Sequence, residues 1–286
     1  MRRLVLSLLA MLLASPATAE ETLPLLYWAE ASGKETVIDV TVFENEESGA
    51  VAKLAERYPG DGAKVTLIPH DEPLLPERFK VGQRYLVITT GGPVTISLRD
   101  FDAFMGAGET HLRLHLEPFP VKARSGGLAM PAESVKDPSR LKLRALRRER
   151  LPALALKAVI DAANAGLSDA DKDKLGKRRI AAGDVRAWSG QFPAGLKWVV
   201  SVTRKLDVTE YVAGFELVGV DGKVGATLSA PGVTLNHSEA LFALDLDGDG
   251  KEEIIFDDDY YEGHYRMLLR WEGDVPKAMV LTGDGA

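Results

Sequence analysis

Three aspartates alternate with other residues in one stretch near the end of the sequence, and a glutamate follows them. Asp245, Asp247 and Asp249 stand at every second position, and Glu253 comes four residues after Asp249. In a tightly curved loop, every second side chain can point toward one centre. Hard divalent cations such as calcium take oxygen ligands in a flexible cage. The spacing therefore predicts a calcium-binding loop.

Gly248, Gly250 and Lys251 fit the same prediction. The two glycines permit backbone angles that a Cβ disfavours, so the chain can turn back between the aspartates. Lys251 is expected to contribute its backbone carbonyl and to extend its side chain into solvent. Glu253 is expected to close the site directly or through water. The predicted metal ligands are Asp245, Asp247, Asp249, Lys251 and Glu253.

The residues on either side indicate the kind of loop. A helix–loop–helix calcium site needs a glutamate at the twelfth position of the loop, and that position holds Phe256. The flanking segments 241–244 and 254–256 are apolar and typical of strands. The sequence therefore predicts a strand–loop–strand site. The alternative is an Asp/Gly-rich hairpin without metal, which repulsion among three close carboxylates disfavours.

The stretch ALDLDGDGKEEIIF at residues 243–256 resembles the calcium loop of the FG-GAP or VCBS type, found in integrin-like propellers and many exported bacterial proteins. The family pattern is Asp-x-Asp-Gly-Asp-Gly-x-x-Asp before a short apolar strand, and Glu253 stands here in place of the final aspartate. The resemblance implies that the loop binds calcium. The family normally repeats the loop to close a propeller, whereas this chain has one copy, so the resemblance extends to the loop alone.

The N-terminus has the pattern of a secretory signal peptide over residues 1–19. Two arginines precede an apolar run at 4–13, which is too short to span a bilayer. The sequence Ala-Thr-Ala at 17–19 fits a cleavage site with small residues. The sequence therefore predicts a periplasmic or secreted protein.

Composition narrows the possible classes of protein. The sequence has no cysteine, so core burial or a metal has to hold the fold in place of disulfides. Removing Arg2 and Arg3 lowers the 35 basic residues to 33, against 42 acidic ones. This balance argues against a general nucleic-acid binder. Because no second long apolar segment follows, we expect no integral membrane segment after removal of the signal.

Residues 20–120 are predicted to form an N-terminal β-rich domain that resembles a small barrel. Alternating and β-branched segments indicate strands. The predicted elements are strands at 37–43, 63–69, 84–90, 94–98 and 111–116, and a short helix at 49–58. The stretch FKVGQRYLVI at 79–88 resembles the start of a strand in small secreted β-barrels of the OB or netrin-like type.

Residues 121–185 are predicted to form a linker and a helical segment. The linker at 121–138 is rich in Gly, Ser and Pro. Apolar residues near helical spacing predict helices over 139–151 and 153–165, and Ser168 followed by Asp171 predicts the cap of a third helix. Aspartates also alternate from 169 to 173, but a lysine then stands where a calcium loop needs glycine.

Residues 186–286 are predicted to form a C-terminal antiparallel β domain, a sandwich or meander that carries the calcium loop. The predicted strands are 197–203, 213–220, 224–228, 240–244, 253–256, 265–271 and 277–281. Turn residues separate them. The whole chain is thus predicted to be mainly β with a helical connector, in the α+β class.

Two charged clusters leave alternatives open. Asp257, Asp258 and Asp259 precede two tyrosines and could serve as hydrolase carboxylates beside a sugar-stacking ring, or form a solvated turn. The basic run at 136–150 could touch anionic lipid, dock on the acidic C-terminal region of the same chain, or form a solvated helix face.

The leading functional hypothesis is an exported calcium-binding protein, a non-enzymatic binding or structural module in which calcium stabilises the loop. An exported hydrolase using the carboxylates at 257–259 is one alternative. An adhesion or inhibitor module using the N-terminal domain is another. The sequence has no nucleophile elbow, phosphate-binding glycine loop or dinucleotide fingerprint, so no catalytic residue is assigned. It names no protein or carbohydrate partner.

Overall fold

The structure is a computed structural model that describes residues 25–32, 35–41, 64–66, 79–106, 109–119, 126–207, 210–234, 237–260 and 263–284. These residues form antiparallel sheets and two α-helices, which confirms the predicted mainly β fold with a helical connector. The predicted signal peptide at 1–19 and the predicted helix at 49–58 lie outside the described residues.

The first strands of the chain form one antiparallel sheet that closes into a barrel. They are β1 Tyr27–Ser32, β2 Glu35–Thr41, β3 Lys64–Thr66, β4 Arg84–Thr89, β5 Gly92–Gly106, β6 Glu109–Leu116 and β7 Gly127–Pro131. Their order is β3-β5-β4-β7-β1-β2-β6, and an additional pairing of β5 with β6 closes a barrel of six strands. The predicted barrel-like N-terminal region is therefore confirmed as a barrel.

The barrel is apolar both inside and on part of its outer wall. Tyr85 and Val87 of β4 belong to the cluster that fills the interior. Leu86 and Ile88, which alternate with them, belong to a second cluster outside the barrel. Because successive side chains of a strand point to opposite faces, the continuous apolar run of β4 buries both of its faces.

Two further antiparallel sheets, each of five strands, complete the described fold. Their strands are β8 Arg144–Ala145, β9 Arg148–Glu149, β10 Val185–Ser189, β11 Trp198–Lys205, β12 Tyr211–Val218, β13 Val224–Thr234, β14 His237–Leu244, β15 Glu253–Asp259, β16 His264–Glu272 and β17 Val275–Asp284. The helix-side sheet has the order β13-β12-β11-β10-β9, and the central sheet has the order β17-β16-β15-β14-β8. The predicted C-terminal antiparallel β structure is confirmed, and each sheet is built mainly as a meander.

The helix predicted over residues 139–151 is wrong. This connector instead contributes β8 to the central sheet and β9 to the helix-side sheet. Leu141 and Leu143 are buried and alternate with polar residues, which is the period of a strand rather than of a helix. The connector therefore runs along the edges of both sheets and joins them.

The other two predicted helices are confirmed as α1 Ala153–Gly166 and α2 Asp169–Leu175. At the start of α2, the Ser168 hydroxyl accepts a hydrogen bond from the Asp171 N–H, and the Asp171 carboxylate accepts one from the Ser168 N–H. This reciprocal cap fixes where α2 begins. The alternating aspartates at 169–173 thus start a helix, as their pattern without glycine indicates.

The central sheet is buried on both faces. On one face, Ile255 packs in the same cluster as Trp28 on the outer wall of the barrel. On the other face, Ile254 and Phe256 pack against the helix-side sheet, where the rings of Phe256 and Phe215 lie 5.0 Å apart. The far face of the helix-side sheet carries α1 and α2. The layers are therefore the barrel, the central sheet, the helix-side sheet and the helices.

Each strand predicted from alternation is present in the structure. Five further strands of the described residues have no counterpart in the prediction, namely β1, β7, β8, β9 and β10. One of them is β7, which lies within the stretch 121–138 that was expected to be a linker. Its residues Leu128 and Met130 are fully buried, although the surrounding Gly, Ser and Pro content is typical of a loop. A buried strand of five residues leaves too short a pattern to outweigh that composition.

Glu216 of β12 is a carboxylate in an apolar layer. It lies on the face of the helix-side sheet that the helices cover, since Val212 and Val218 of the same face pack there. Its side chain is 4% exposed, and its Oε2 has no hydrogen-bond partner among the described residues. Burial raises the pKa of Glu216 above its ordinary value of 4.5.

Glu216→Gln should remove a pH dependence of stability. The folded state holds the Glu216 proton more tightly than the unfolded chain does, because its pKa is raised. Its contribution to the free energy of unfolding is therefore fully present below the unfolded pKa and is lost as the pH rises through the folded pKa. Since glutamine does not titrate, urea unfolding at acidic and at mildly alkaline pH should show a smaller loss of stability in the variant than in the wild type.

A surface variant, Glu30→Gln, is the control for this comparison, because Glu30 is an exposed residue of β1. It should follow the wild-type pH profile. If Glu216→Gln also ran parallel to the wild type, Glu216 would not be the titrating group.

Candidate metal centre

The three aspartates lie in the loop that joins β14 to β15 of the central sheet. Leu244 and Glu253 are the last paired residues of the two strands, so the residues between them form the end of a hairpin. One carboxylate oxygen from each of Asp245, Asp247 and Asp249 lies within 4.8 Å of the other two. The structure thus brings together three of the five predicted ligands.

Backbone N–H groups of the loop orient these carboxylates. Asp245 accepts hydrogen bonds from the N–H groups of Gly248 at 2.6 Å and Gly250 at 3.1 Å. Asp247 accepts one from the Asp249 N–H at 3.0 Å. These short-range turns wrap the backbone around the side chains. The spacing of two residues therefore places the carboxylates on the inside of one curve.

The two glycines of the loop have conformations that other residues rarely adopt. The φ angles of Gly248 and Gly250 are +82° and +87°, in the left-handed region. A Cβ on Gly248 would lie 2.7 Å from the guanidinium of Arg140, which also donates a long hydrogen bond of 3.5 Å to the Asp247 carbonyl. The connector therefore lies directly over the loop at this point.

The Lys251 side chain is partly exposed, with 32% of its surface accessible, and it also contacts a neighbouring turn. Its ammonium donates to the Gly273 carbonyl at 3.1 Å and to Asp274 at 3.3 Å, and it lies 3.5 Å from Asp249. The hydrogen bond to Asp274 and the charge of Asp249 raise the pKa of Lys251. The side chain thus bridges the loop and the turn between β16 and β17. A ligand role for its backbone carbonyl stays a prediction.

Glu253 lies behind the loop and is 2% exposed. Its Oε2 accepts a hydrogen bond from the Leu246 N–H at 2.7 Å, which fixes the first residues of the loop. Burial, with a further contribution from the charge of Asp247, raises the pKa of Glu253 to about 7. Glu253 does not belong to the group of three converging carboxylates, so its direct ligation of a metal stays a prediction.

Glu252 is a structural residue of the loop that the sequence did not reveal. Its carboxylate accepts two hydrogen bonds from the Arg144 guanidinium, at 2.8 and 2.6 Å, and one from the Gln191 N–H at 2.9 Å. Its backbone N–H donates to the Gln191 carbonyl at 2.7 Å, and its carbonyl accepts from the Trp271 indole at 2.9 Å. Glu252 therefore joins the connector and both sheets beside the metal loop.

The basic run at 136–150 was the one feature of the sequence that pointed to the contact between Arg144 and Glu252. Arg144 and Arg148 of the basic run pair with acidic residues of the same chain, as one of the three alternatives for this run predicts. Besides the pair with Glu252, Arg148 contacts Glu239 at 2.5 Å. The two partners are 91 residues apart in sequence, so no local pattern could have matched one to the other.

Asp257 and Asp259, proposed as hydrolase carboxylates, are both paired with cations or imidazoles. Asp257 accepts two hydrogen bonds from Arg266, at 2.7 and 2.9 Å. Asp259 contacts the His264 ring and lies 3.2 Å from His237. These contacts fix both carboxylates at the far end of β15 from the metal loop.

Asp258 lies on the opposite face of β15 from Asp257 and Asp259, because side chains alternate along a strand. There it accepts a hydrogen bond from Ser238 at 3.1 Å. The three neighbouring aspartates therefore do not converge on one cleft. This arrangement gives no support to acid and base catalysis by a pair of facing carboxylates.

Comparison of the chain with known proteins identifies no relative. No family model, no curated protein and no solved structure matches the chain. Within the described residues, neither helix has the length and apolar character needed to cross a membrane. The function is therefore inferred from the geometry of the site itself.

Arg144→Ala should lower the free energy of unfolding by about 1 to 2 kcal/mol, because it removes a bidentate charged pair and leaves the half-buried Glu252 carboxylate without its cation. Urea unfolding measures the change. Arg147 of the same run has no ion pair or hydrogen bond with any described residue. Arg147→Ala is therefore the matched control and should change stability by less than about 0.5 kcal/mol. Equal effects of the two variants would contradict a special role of the Arg144–Glu252 pair.

Proposed function

We propose that the chain is an exported calcium-binding protein, a non-enzymatic binding or structural module that acts in the periplasm or outside the cell. The observation that carries the proposal is the convergence of Asp245, Asp247 and Asp249 in the loop between β14 and β15. The signal-peptide pattern at residues 1–19 supports the export part of the proposal.

Calcium fits the chemistry of this cluster. All three groups offer carboxylate oxygen, and no imidazole or thiolate belongs to the cluster. Calcium prefers oxygen ligands, whereas zinc and copper favour nitrogen and sulfur. Asp247 and Asp249 are exposed, and an exposed loop is typical of extracellular sites with a Kd of roughly 10⁻⁴ to 10⁻³ M. The Lys251 carbonyl and the Glu253 carboxylate would complete the ligand set.

Bound calcium supplies positive charge where the three carboxylates repel one another. Among the protein's own groups, the Lys251 ammonium offers a partial substitute at 3.5 Å from Asp249. The loop ends at Glu252, which joins both sheets. A cation that holds the hairpin closed therefore also stabilises the contacts of Glu252 with the two sheets. The stabilisation at ten times the Kd is about 1.4 kcal/mol, which suits a structural role better than a switch.

Catalysis by the carboxylates at 257–259 has less support. Asp257 and Asp259 are held by Arg266 and His264, and Asp258 faces the other way. An adhesion or inhibitor role for the barrel stays a prediction.

Calorimetric titration of the mature protein with calcium should show one site. Asp247→Asn should abolish the heat of binding, because it removes one of the three converging charges but keeps the oxygen that accepts from the Asp249 N–H. Melting curves in calcium and in chelator should differ for the wild type and coincide for the variant.

Asp173→Asn is the matched control for this titration. Asp173 belongs to the second series of alternating aspartates, which lies on α2 rather than in a loop. It should bind calcium as the wild type does. A wild-type titration without heat and without a melting shift would refute calcium binding, and equal losses in both variants would show that general charge, rather than the loop, attracts the ion.

A further inference from the structure

One end of the barrel carries a pocket that is separate from the metal loop. Its volume is about 550 Å³, and its lining includes Leu25, Tyr27, Lys80, Gln83, Tyr85 and Glu133. The strands β1 and β4 begin at this end and β7 finishes there, since both β1 and β4 pair antiparallel to β7. Three neighbouring strands therefore build the pocket mouth together.

The floor of the pocket is aromatic and rigid. Tyr85 is fully buried and Tyr27 is 6% exposed, and both belong to the interior cluster of the barrel. The ring of Phe79 lies 5.8 Å from that of Tyr27 and continues the same layer. Leu25, at the mouth, is an exposed apolar side chain at 43%. The pocket thus offers the apolar side chain of Leu25 to a ligand, above a floor whose rings are packed inside the barrel.

The polar rim is held by a fixed turn. Gly82 has a φ of +85°, and its N–H donates to the Leu98 carbonyl of β5 at 2.8 Å. The Gln83 side-chain oxygen accepts hydrogen bonds from the Lys80 N–H at 3.2 Å and from the Tyr85 hydroxyl at 3.4 Å. These contacts orient the Gln83 amide and leave its NH₂ group as a donor for a ligand.

Two charged groups of the lining are available to a ligand. Neither Lys80 nor Glu133 forms an ion pair within the described part of the chain. An ammonium and an amide NH₂ at one rim are the donors that an anionic head group needs. The Glu133 carboxylate repels a second negative charge, so the rim favours a single anionic group over a dianion such as a phosphate monoester.

We infer that this pocket binds a small amphipathic organic monoanion, whose apolar ring or chain lies against Leu25 above the closed aromatic floor and whose anionic head faces Lys80 and Gln83. The volume falls within the range of roughly 300 to 1,000 Å³ that is usual for small-molecule sites. The site goes beyond the proposed calcium role and does not depend on it, because no residue of the pocket belongs to the metal loop.

The fluorescent probe 8-anilinonaphthalene-1-sulfonate tests the site, since it combines aromatic rings with one sulfonate. The wild type, titrated in chelator, should bind it saturably. Leu25→Asp and Lys80→Glu should each weaken binding at least about tenfold, a loss of about 1.4 kcal/mol. Glu133→Lys, which leaves the floor intact, should strengthen it.

Val81→Asp is the matched control. Val81 is exposed to nearly the same extent as Leu25, at 41%, and stands beside Lys80 but does not line the pocket. It should keep the wild-type affinity within about twofold, a difference of about 0.4 kcal/mol. Urea unfolding of every variant shows that each remains folded, because the probe also binds partly unfolded chains.

Two competitors separate the apolar contact from the charge. Naphthalene-1-sulfonate should displace the probe from the wild type better than 1-naphthylmethylammonium, and Lys80→Glu should reverse that order. Absence of saturable binding by the wild type would overturn the proposal. So would equal affinities in Leu25→Asp, Lys80→Glu and Val81→Asp, or better displacement by the cation from the wild type.

Discussion

The structure depends on one constraint, which is that the central sheet is buried on both faces. Ile255 packs toward the barrel, and its neighbours Ile254 and Phe256 pack toward the helix-side sheet. A two-sided apolar sheet can exist only between two covering layers, since either face would otherwise expose its hydrophobic surface to water. The strands of the central sheet therefore need both the barrel and the helix-side sheet as covering layers, and the connector runs along the edges of the two sheets.

The metal loop and the ionic junction follow from that arrangement. Apolar residues 254–256 fill the middle of β15, so its charged residues lie toward its two ends, Asp257 to Asp259 at one and Glu253 at the other, where the hairpin after β14 joins it. At this place the connector also crosses from one sheet to the other. The pair of Arg144 with Glu252 therefore forms where three segments meet, and the converging carboxylates stand beside it. The position of the site is thus determined by the edges of the layers as well as by the local sequence pattern.

The elements that could be predicted from the sequence are those that a local residue pattern determines. The alternation in β11 to β17, the cap at Ser168 and the curved Asp/Gly loop are all local, and the structure has each of them. Elements set by distant contacts were not predictable in this way. The connector around Leu143 resembled a helix because its strand pairing partners come much later in the chain. The contact of Lys251 with Asp274 depends on a turn that lies 23 residues further along the chain.

The short strands of the connector also affect how the molecule meets other copies of itself. β8 and β9 lie along β14 and β10, which would otherwise expose unpaired backbone groups. At the opposite edge, β13 contains Pro231, which has no N–H to donate, and its pairing with β12 is interrupted by register shifts. Both features make these margins poor templates for adding a foreign strand. At these margins, association with another molecule has to use side-chain surfaces instead of strand addition.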